Sequence, residues 1–193
     1  MKICVFGAAS YEIAQYYIDA VENLGEEMAK RGHSLVFGAG GNGLMGAAAR
    51  GVKRGGGKIE GIIPHFFRNE TIEKIYDECD QLIFTETMAE RKAKMEELAD
   101  AFIIVPGGIG TFEEFFQVLT LKQLGRHSKP IAIFDVNNYY TKLIEFLDFS
   151  MKEEFINDNC KSLYCYSSDI TELFSYIENY KQPIKDVHEL KKG

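Results

Sequence analysis

Short apolar runs alternate with longer segments of helical periodicity along the chain. The runs are KICVF, SLVFG, KIEGII, QLIFT, AFIIV, PIAIF and SLYCY. Between them, apolar residues recur three and four positions apart, as in amphipathic helices, over residues 13–31, 43–55, 87–99, 111–124, 139–149 and 169–180. Strands and helices that alternate at this pace predict βαβ units and a parallel sheet covered on both faces. We therefore predict an α/β fold with a Rossmann-like, doubly wound, mostly parallel sheet of about seven strands.

The length predicts one domain. The chain has 193 residues, 46% of them hydrophobic and 26% charged, which suits a single core that buries roughly 70% of the surface of the unfolded chain. No linker, repeat or low-complexity segment interrupts the pattern. We assign residues 1–180 to the domain and expect residues 181–193 to be a frayed tail.

Charge and composition exclude several classes of partner. The net charge is −7, and the only basic block is the short tail ELKKG, so the chain lacks the basic surface that binds nucleic acid polymers. No apolar run approaches the roughly 20 residues of a membrane span, and the run in MKICVFGAAS is too short for a signal peptide. We expect a cytoplasmic protein with no membrane partner. The cysteines form no C-x-x-C pair and the histidines lie far apart, so we predict no metal site.

The turns after the strands are where ligands bind in doubly wound sheets. GAGGNG, from Gly38 to Gly43, matches the G-x-G-x-x-G pattern of dinucleotide sites. However, it follows the second strand, and the next strand does not end in the acid that binds a ribose, since Glu60 lies in mid-strand. A tight turn with close packing of helix on sheet is the alternative. An oxidoreductase that uses NAD remains a hypothesis that rests on this motif alone.

The turn PGGIGT has a different character. Its glycines, at positions 107, 108 and 110, precede a predicted helix, whose unpaired N–H groups and dipole favour a bound anion such as a phosphate. Thr111 adds a hydroxyl at the expected N-cap position. Thr111 and Glu114 also match a capping box, in which the glutamate merely returns to a backbone N–H and stabilises the helix by about 1 kcal/mol.

The segment TETMAERK has the same two interpretations. Thr87 and Glu90 match a second capping box. Arg91 and Lys92 either belong to a solvated helix face or place cations beside the neighbouring anion site. Basic residues in a first helical turn oppose the helix dipole, which indicates another use.

Taken together, these stretches resemble the Lonely Guy family of phosphoribohydrolases, which activate cytokinins. The family pattern P-G-G-x-G-T-x-x-E matches PGGIGTFEE, and its methionine followed by x-x-R-K matches MAERK. GLMG, GIIP, QLGRHSKP and NYY are also similar to family sequences, and the likeness extends from residue 2 to about residue 180. The paired motifs favour a functional role for Glu114 over the capping box.

The resemblance implies hydrolysis of the N-glycosidic bond of an N6-substituted adenosine 5'-monophosphate, or of AMP itself, without a cofactor or metal. It also implies a homodimer. By the same resemblance Arg91 and Glu114 are the catalytic pair. The implied binding residues are Gly107, Gly108, Gly110 and Thr111 for the phosphate, Ser10, Met88, Lys92 and Glu113 around the site, and also Glu70 and Thr120.

The chain departs from the family pattern at three turns. FGAAS stands where the family has F-C-G-S-S, so that only Ser10 keeps its hydroxyl, and VNNYY stands for V-D-G-Y-Y. Ala39 interrupts a usual triple glycine, at a position where we expect the backbone to approach the ligand.

A binding protein without catalysis, such as a nucleotide or molybdenum cofactor carrier of the same fold, is the alternative function.

Overall fold

The computed structural model describes residues 1–68, 74–181 and 187–190, without the side chains of Arg68 and His188. Seven parallel strands form one sheet in the order β4-β3-β2-β1-β5-β6-β7. The strands are β1 (Lys2–Phe6), β2 (Ser34–Phe37), β3 (Ile59–Pro64), β4 (Gln81–Thr85), β5 (Ala101–Ile104), β6 (Ile131–Phe134) and β7 (Cys165–Ser167). The predicted α/β, doubly wound fold is confirmed.

Helices follow the strands in the predicted order. They are α1 (Gln15–Lys30), α2 (Gly43–Arg54), α3 (Met88–Leu98), α4 (Ile109–Gln123), α5 (Thr141–Lys152), α6 (Ile170–Glu178) and a short α7 (Val187–Leu190). Two boundaries differ from the prediction in ways that matter. Helix α4 begins two residues earlier than expected, and β7 begins later, because residues 158–163 form 3₁₀ turns.

The sheet separates two apolar layers. Alternate residues of β1 face opposite sides: Ile3 and Val5 pack with α1, α2 and α6, whereas Cys4 and Phe6 pack with α3, α4 and α5. Because both faces are covered, the central strands are apolar at nearly every position. This double burial explains why the strands are recognisable as continuous apolar runs in the sequence.

The winding direction reverses at β1. The chain builds β2, β3 and β4 outward on one side of β1 and then returns to place β5, β6 and β7 on the other side. Loops that leave β1 and β5 therefore diverge to opposite faces and open a crevice at the carboxyl edge of the sheet. This crevice is the position in the fold where a ligand site is expected.

The assignment of residues 1–180 to one domain and of 181–193 to a tail stays a prediction. Within the predicted tail, α7 places Leu190 in a buried position, and the backbone carbonyl of Leu190 accepts a hydrogen bond from Gln123 Nε2 at 2.9 Å. Across the described ranges, the helices are all too short or too polar to serve as a membrane-spanning segment.

One charged side chain is buried away from the crevice. Lys122, near the end of α4, is only 5% exposed. Its ammonium donates a hydrogen bond to the carbonyl oxygen of Leu163 at 2.6 Å and lies 4.5 Å from the centre of the Tyr180 ring. Burial lowers the pKa of Lys122 to about 7, because the charged form loses its hydration.

This lysine predicts a pH dependence of stability. Because the pKa of Lys122 is lower in the folded than in the unfolded chain, the unfolded chain holds the extra proton between about pH 7 and pH 10.4. Stability therefore rises with pH through this window. We expect the free energy of unfolding, measured by urea titration, to rise by about 2 kcal/mol more in the wild type than in Lys122→Met between pH 7 and pH 9.

The control is Lys152→Met, which removes an exposed lysine at the end of α5. It should keep the wild-type pH dependence. Equal pH dependence in Lys122→Met and the wild type would show that Lys122 stays charged in the folded protein.

Candidate active site

A cavity of about 330 Å³ lies in the crevice where the winding reverses. This volume is at the lower end of the range of roughly 300–1,000 Å³ for small-molecule sites. Its walls come from the loops after β1, β2 and β5 and from helices α2, α3 and α4. The lining residues are Phe6, Gly7, Ala8, Ala9, Ser10, Gly38, Gly40, Met45, Arg91, Met95, Gly108, Gly110, Thr111 and Glu114.

Arg91 enters the cavity from the first turn of α3. Its Nε donates a hydrogen bond to the carbonyl oxygen of Ile62 at 3.2 Å. Its guanidinium lies against the α-carbon of Gly38, where any β-carbon would collide with the guanidinium nitrogens. The first glycine of GAGGNG therefore provides the space for this arginine.

Glu114 reaches the same cavity from the first turns of α4. The N-cap of α4 is Gly108, and no side chain caps this helix. Our placement of Thr111 at the N-cap is wrong, because the helix begins at Ile109 and Thr111 is a buried residue inside it. Thr111 and Glu114 therefore do not form the capping box, and the Glu114 side chain lines the cavity.

The first turns of α2 and α4 differ in their free hydrogen-bond donors. The backbone N–H groups of Leu44 and Met45, in α2, both donate to the carbonyl oxygen of Ala8, at 2.8 and 3.3 Å. Among the described residues, by contrast, no group accepts a hydrogen bond from the backbone N–H of Gly108 or Gly110. Since an anion needs free donors, the structure favours α4 over α2 as the anion site.

Two consecutive tyrosines hold the turn that precedes α4. The hydroxyl of Tyr139 donates to the carbonyl oxygen of Gly107 at 2.6 Å, and the hydroxyl of Tyr140 donates to that of Val105 at 2.8 Å. The Thr111 side chain fills the space beside Gly107 that a β-carbon would need. These contacts occupy the carbonyls of Val105 and Gly107 and hold the turn in place.

No neighbouring protein atom requires glycine at Gly108 or Gly110. A β-carbon at either position would meet no protein atom within 4 Å, and neither residue adopts a positive φ. Both residues line the cavity. The absence of side chains there keeps the space in front of the amides open for a ligand.

The structure brings together six of the residues predicted for the site. They share the main cavity: Ser10, Arg91, Gly108, Gly110, Thr111 and Glu114. Gly107 lines a second cavity of about 240 Å³ at the same turn, together with Tyr17 and Tyr139.

The other predicted residues lie elsewhere. Met88 is the exposed first residue of α3, and Lys92 forms an ion pair with Glu113 outside the main cavity. Thr120 lies further along α4 beside a separate apolar cavity. Glu70 lies outside the described residues.

The capping prediction for α3 is confirmed for Thr87 but not for the full capping box. The Thr87 hydroxyl accepts a hydrogen bond from the backbone N–H of Glu90 at 3.1 Å. The Glu90 carboxylate accepts one from the N–H of Glu86 at 2.9 Å, one residue before the position in an ideal capping box. Helix α3 is thus capped by its own residues, and Arg91 is left to face the cavity.

The expectation for Ala39 is wrong. Ala39 is fully buried and its β-carbon faces Gly61, whereas its neighbours Gly38 and Gly40 line the cavity. Its φ of 62° lies in the left-handed region, which costs about 1–2 kcal/mol for a residue with a β-carbon. The departure from the triple glycine therefore strains the backbone without narrowing the cavity.

Sequence reasoning missed several lining residues. Gly38 and Gly40 belong to the motif that we discounted as a dinucleotide site, and Met45 and Met95 look like ordinary core positions of amphipathic helices. The positions of Gly38 and Gly40 at a strand end were the available signal. Cys4, in β1, is fully buried. Burial and the nearby Glu114 raise the pKa of its thiol, so Cys4 is a core residue and not a nucleophile.

The cavity contains no cluster typical of metal binding. Over the ranges that the structure describes, no three His, Cys, Asp or Glu side chains are grouped so that they could hold an ion.

Comparison with known proteins places the chain in a family. A family model described as possible lysine decarboxylase matches residues 45–177. Two cytokinin riboside 5'-monophosphate phosphoribohydrolases of Arabidopsis thaliana are each 36% identical to this chain, over 179 and 185 residues. These alignments cover 93% and 96% of this chain and 83% and 80% of the two relatives.

Among solved structures, the molybdenum cofactor carrier protein of Chlamydomonas reinhardtii matches with a TM-score of 0.69 and 21% identity. The match covers 92% of this chain and 95% of that protein, and it supports the fold alone. Identity to the Arabidopsis enzymes is higher, and it extends over nearly the whole chain. The chain therefore belongs to the Lonely Guy family of cytokinin riboside 5'-monophosphate phosphoribohydrolases, the family that is also described as possible lysine decarboxylase.

Proposed function

We propose that the protein hydrolyses the N-glycosidic bond of an adenosine 5'-monophosphate, either N6-substituted or AMP itself. The products are the free base and ribose 5-phosphate. One observation carries this proposal: Arg91 and Glu114 converge from two helices on one cavity, beside the open amides of the α4 turn. The names of the relatives, which are phosphoribohydrolases, support the same reaction.

The α4 turn binds the 5'-phosphate in this proposal. The free N–H groups of Gly108 and Gly110 and the dipole of a 15-residue helix attract an anion. The absence of side chains at both glycines lets the phosphate approach the backbone closely. Binding of the phosphate then positions C1' of the ribose for the reaction. The phosphate thus contributes to the rate although it is remote from the bond that breaks.

Glu114 acts at the sugar carbon that carries the base. Cleavage of the bond develops positive charge on the ribose ring, and a carboxylate beside C1' stabilises the oxocarbenium-like transition state. Water then adds to C1', and the departing base takes up a proton. Because Glu114 lies one turn beyond Gly110, a phosphate on the amides and a carboxylate at C1' are compatible with one bound nucleotide.

Arg91 supplies a positive charge to the same cavity. Its guanidinium is held by the Ile62 carbonyl and the surface of Gly38, and a fixed cation stabilises the negative charge that develops on the leaving base. Arginine keeps this charge at any physiological pH.

A carrier without catalysis is the second candidate. The carrier is considered because a molybdenum cofactor carrier protein has a similar fold. A carrier needs the phosphate turn, whereas a carboxylate and a guanidinium that line the same cavity suit the enzyme better. The two functions are separated by whether bound nucleotide is cleaved.

We also propose that the protein forms a homodimer through an exposed apolar surface on α4 and α5. Phe155 is 87% exposed, and with the half-exposed Phe116 it borders an apolar cavity of about 220 Å³. Phe146 and Phe149, on α5, are 61% and 55% exposed. Exposed large aromatic side chains are typical of protein interfaces.

The catalytic proposal predicts the behaviour of two variants. Wild-type protein incubated with AMP or isopentenyl-AMP should release free base, detected by chromatography. Glu114→Gln and Arg91→Ala should each lower the release at least about 100-fold, because each removes one charge that acts in the transition state. Calorimetry should show that Glu114→Gln still binds AMP.

The control is Glu145→Gln, which removes an exposed carboxylate on α5, outside the cavity. It should keep wild-type activity. Binding of AMP without any release of base by the wild type would favour the carrier, and full activity in Glu114→Gln would refute the assigned role.

The phosphate site predicts strong discrimination between nucleotides and nucleosides. Turnover of adenosine should be at least about 100-fold slower than turnover of AMP, because adenosine lacks the group that orients the sugar. Gly108→Ala should raise KM for AMP, since its methyl group would project into the space before the amides. Equal kcat/KM for adenosine and AMP would place the phosphate elsewhere.

The proposed dimer predicts the effect of a charge on the apolar surface. Phe155→Asp should shift the mass measured by light scattering from that of a dimer to about 22 kDa, because a carboxylate at an apolar interface loses its hydration. Tyr11→Asp, which changes a 72% exposed aromatic residue elsewhere, serves as the control and should remain dimeric. A monomeric wild type would contradict the proposal.

A further inference from the structure

Four long polar side chains connect α3 to α4 beside the cavity. Lys92 and Glu96 are four residues apart on α3, and Glu113 and Gln117 are four residues apart on α4. Residues at this spacing lie on one face of a helix. The two pairs therefore face each other across the gap between the helices.

Hydrogen bonds join the four side chains. The Lys92 ammonium donates to Glu113 Oε1 and, at 2.9 Å, to Gln117 Oε1. The Gln117 amide nitrogen donates to Glu96 Oε1. The orientation of this amide is fixed by its partners, because an ammonium can only donate and a carboxylate can only accept.

These side chains bridge two helices whose backbones lie apart. The backbones of α3 and α4 approach each other at few positions, so their relative position depends on what spans the gap. Lys92 follows Arg91 in the chain, and Glu113 precedes Glu114. Since neighbours on a helix point about 100° apart, one residue of each pair can reach the cavity while the other reaches the bridge.

The bridge is partly shielded from water. The Lys92 side chain is 21% exposed, and burial raises the pKa of the Glu96 carboxyl. Charge-assisted hydrogen bonds hold their geometry better in such surroundings than in full solvent. The exposed pair of Lys94 and Glu97, within α3 alone, provides a comparison on the same helix.

We propose that Lys92, Glu96, Glu113 and Gln117 form a polar bridge that sets the separation of Arg91 and Glu114. Lys92 and Gln117 are then positioning residues, and Lys92 does not bind the substrate. This inference rests on the proposed function, because Arg91 and Glu114 are its reacting pair. It assigns Gln117 a role that the sequence motifs do not suggest, since Gln117 lies beyond the end of PGGIGTFEE.

The experiment compares Lys92→Met, Gln117→Met and the double variant, with AMP as substrate. Each single variant should lower kcat by about 10-fold or more, because a shift of about 1 Å between reacting groups has large effects on rate. KM should change by less than about twofold. The double variant should be no slower than the slower single variant, because both substitutions break one bridge.

Lys94→Met is the matched control, since it removes a lysine from the same helix without touching the bridge. It should keep wild-type kcat and KM. If Lys92 binds the substrate, Lys92→Met alone will raise KM, and its effect will multiply with that of Gln117→Met, which overturns the proposal.

A structural measurement tests the bridge independently of the proposed reaction. Failure of the wild type to release base would refute the reaction alone. Crystal structures of Lys92→Met and Gln117→Met then decide on the bridge. Displacement of the Arg91 guanidinium from Gly38 supports it, whereas an unchanged separation of Arg91 and Glu114 in both variants overturns it.

Discussion

The site depends on a constraint that applies to every α-helix: the N–H groups of the first turn have no acceptor within the helix. At α2 the fold satisfies this need internally, because the Ala8 carbonyl accepts from two N–H groups. At α4 no described group accepts from Gly108 or Gly110. The unpaired donors border a cavity in the crevice between β1 and β5. In the proposed function, the 5'-phosphate of the nucleotide pairs with these donors.

The rest of the site is arranged around that turn. Tyr139 and Tyr140 hold the carbonyls of the turn from the end of β6, and Gly38 leaves room for Arg91 from the end of β2. Contributions thus come from several strand ends, as is common in doubly wound proteins, where one edge of the sheet collects all the strand-to-helix turns. The catalytic proposal requires this convergence, because no single segment of the chain contains both charges and the anion site.

Two capping patterns of the same form illustrate how context changes the role of a sequence motif. Thr87 caps α3 through its hydroxyl, as the pattern predicts. Thr111 does not cap α4, because Gly108 occupies the N-cap and the helix begins earlier. The shift of the N-cap by three residues, from Thr111 to Gly108, takes Glu114 out of the capping position, and Glu114 lines the cavity instead. Similar reasoning applies to Arg91 and Lys92, which are neighbours in sequence but face the cavity and α4 respectively.

The sequence by itself determined the fold class and the main turn of the site. Burial on both faces makes each strand of a parallel sheet a continuous apolar run. The three glycines of PGGIGT mark a turn with few side chains. The strands and this turn are therefore visible in the local sequence. Only the tertiary structure decided the helix start at Ile109, the space that Gly38 leaves for Arg91, and the bridge through Gln117. These features depend on which groups meet across elements that are distant in the chain. Such long-range contacts leave no periodic signal in the sequence, because the packing of the whole domain determines which side chains contact each other.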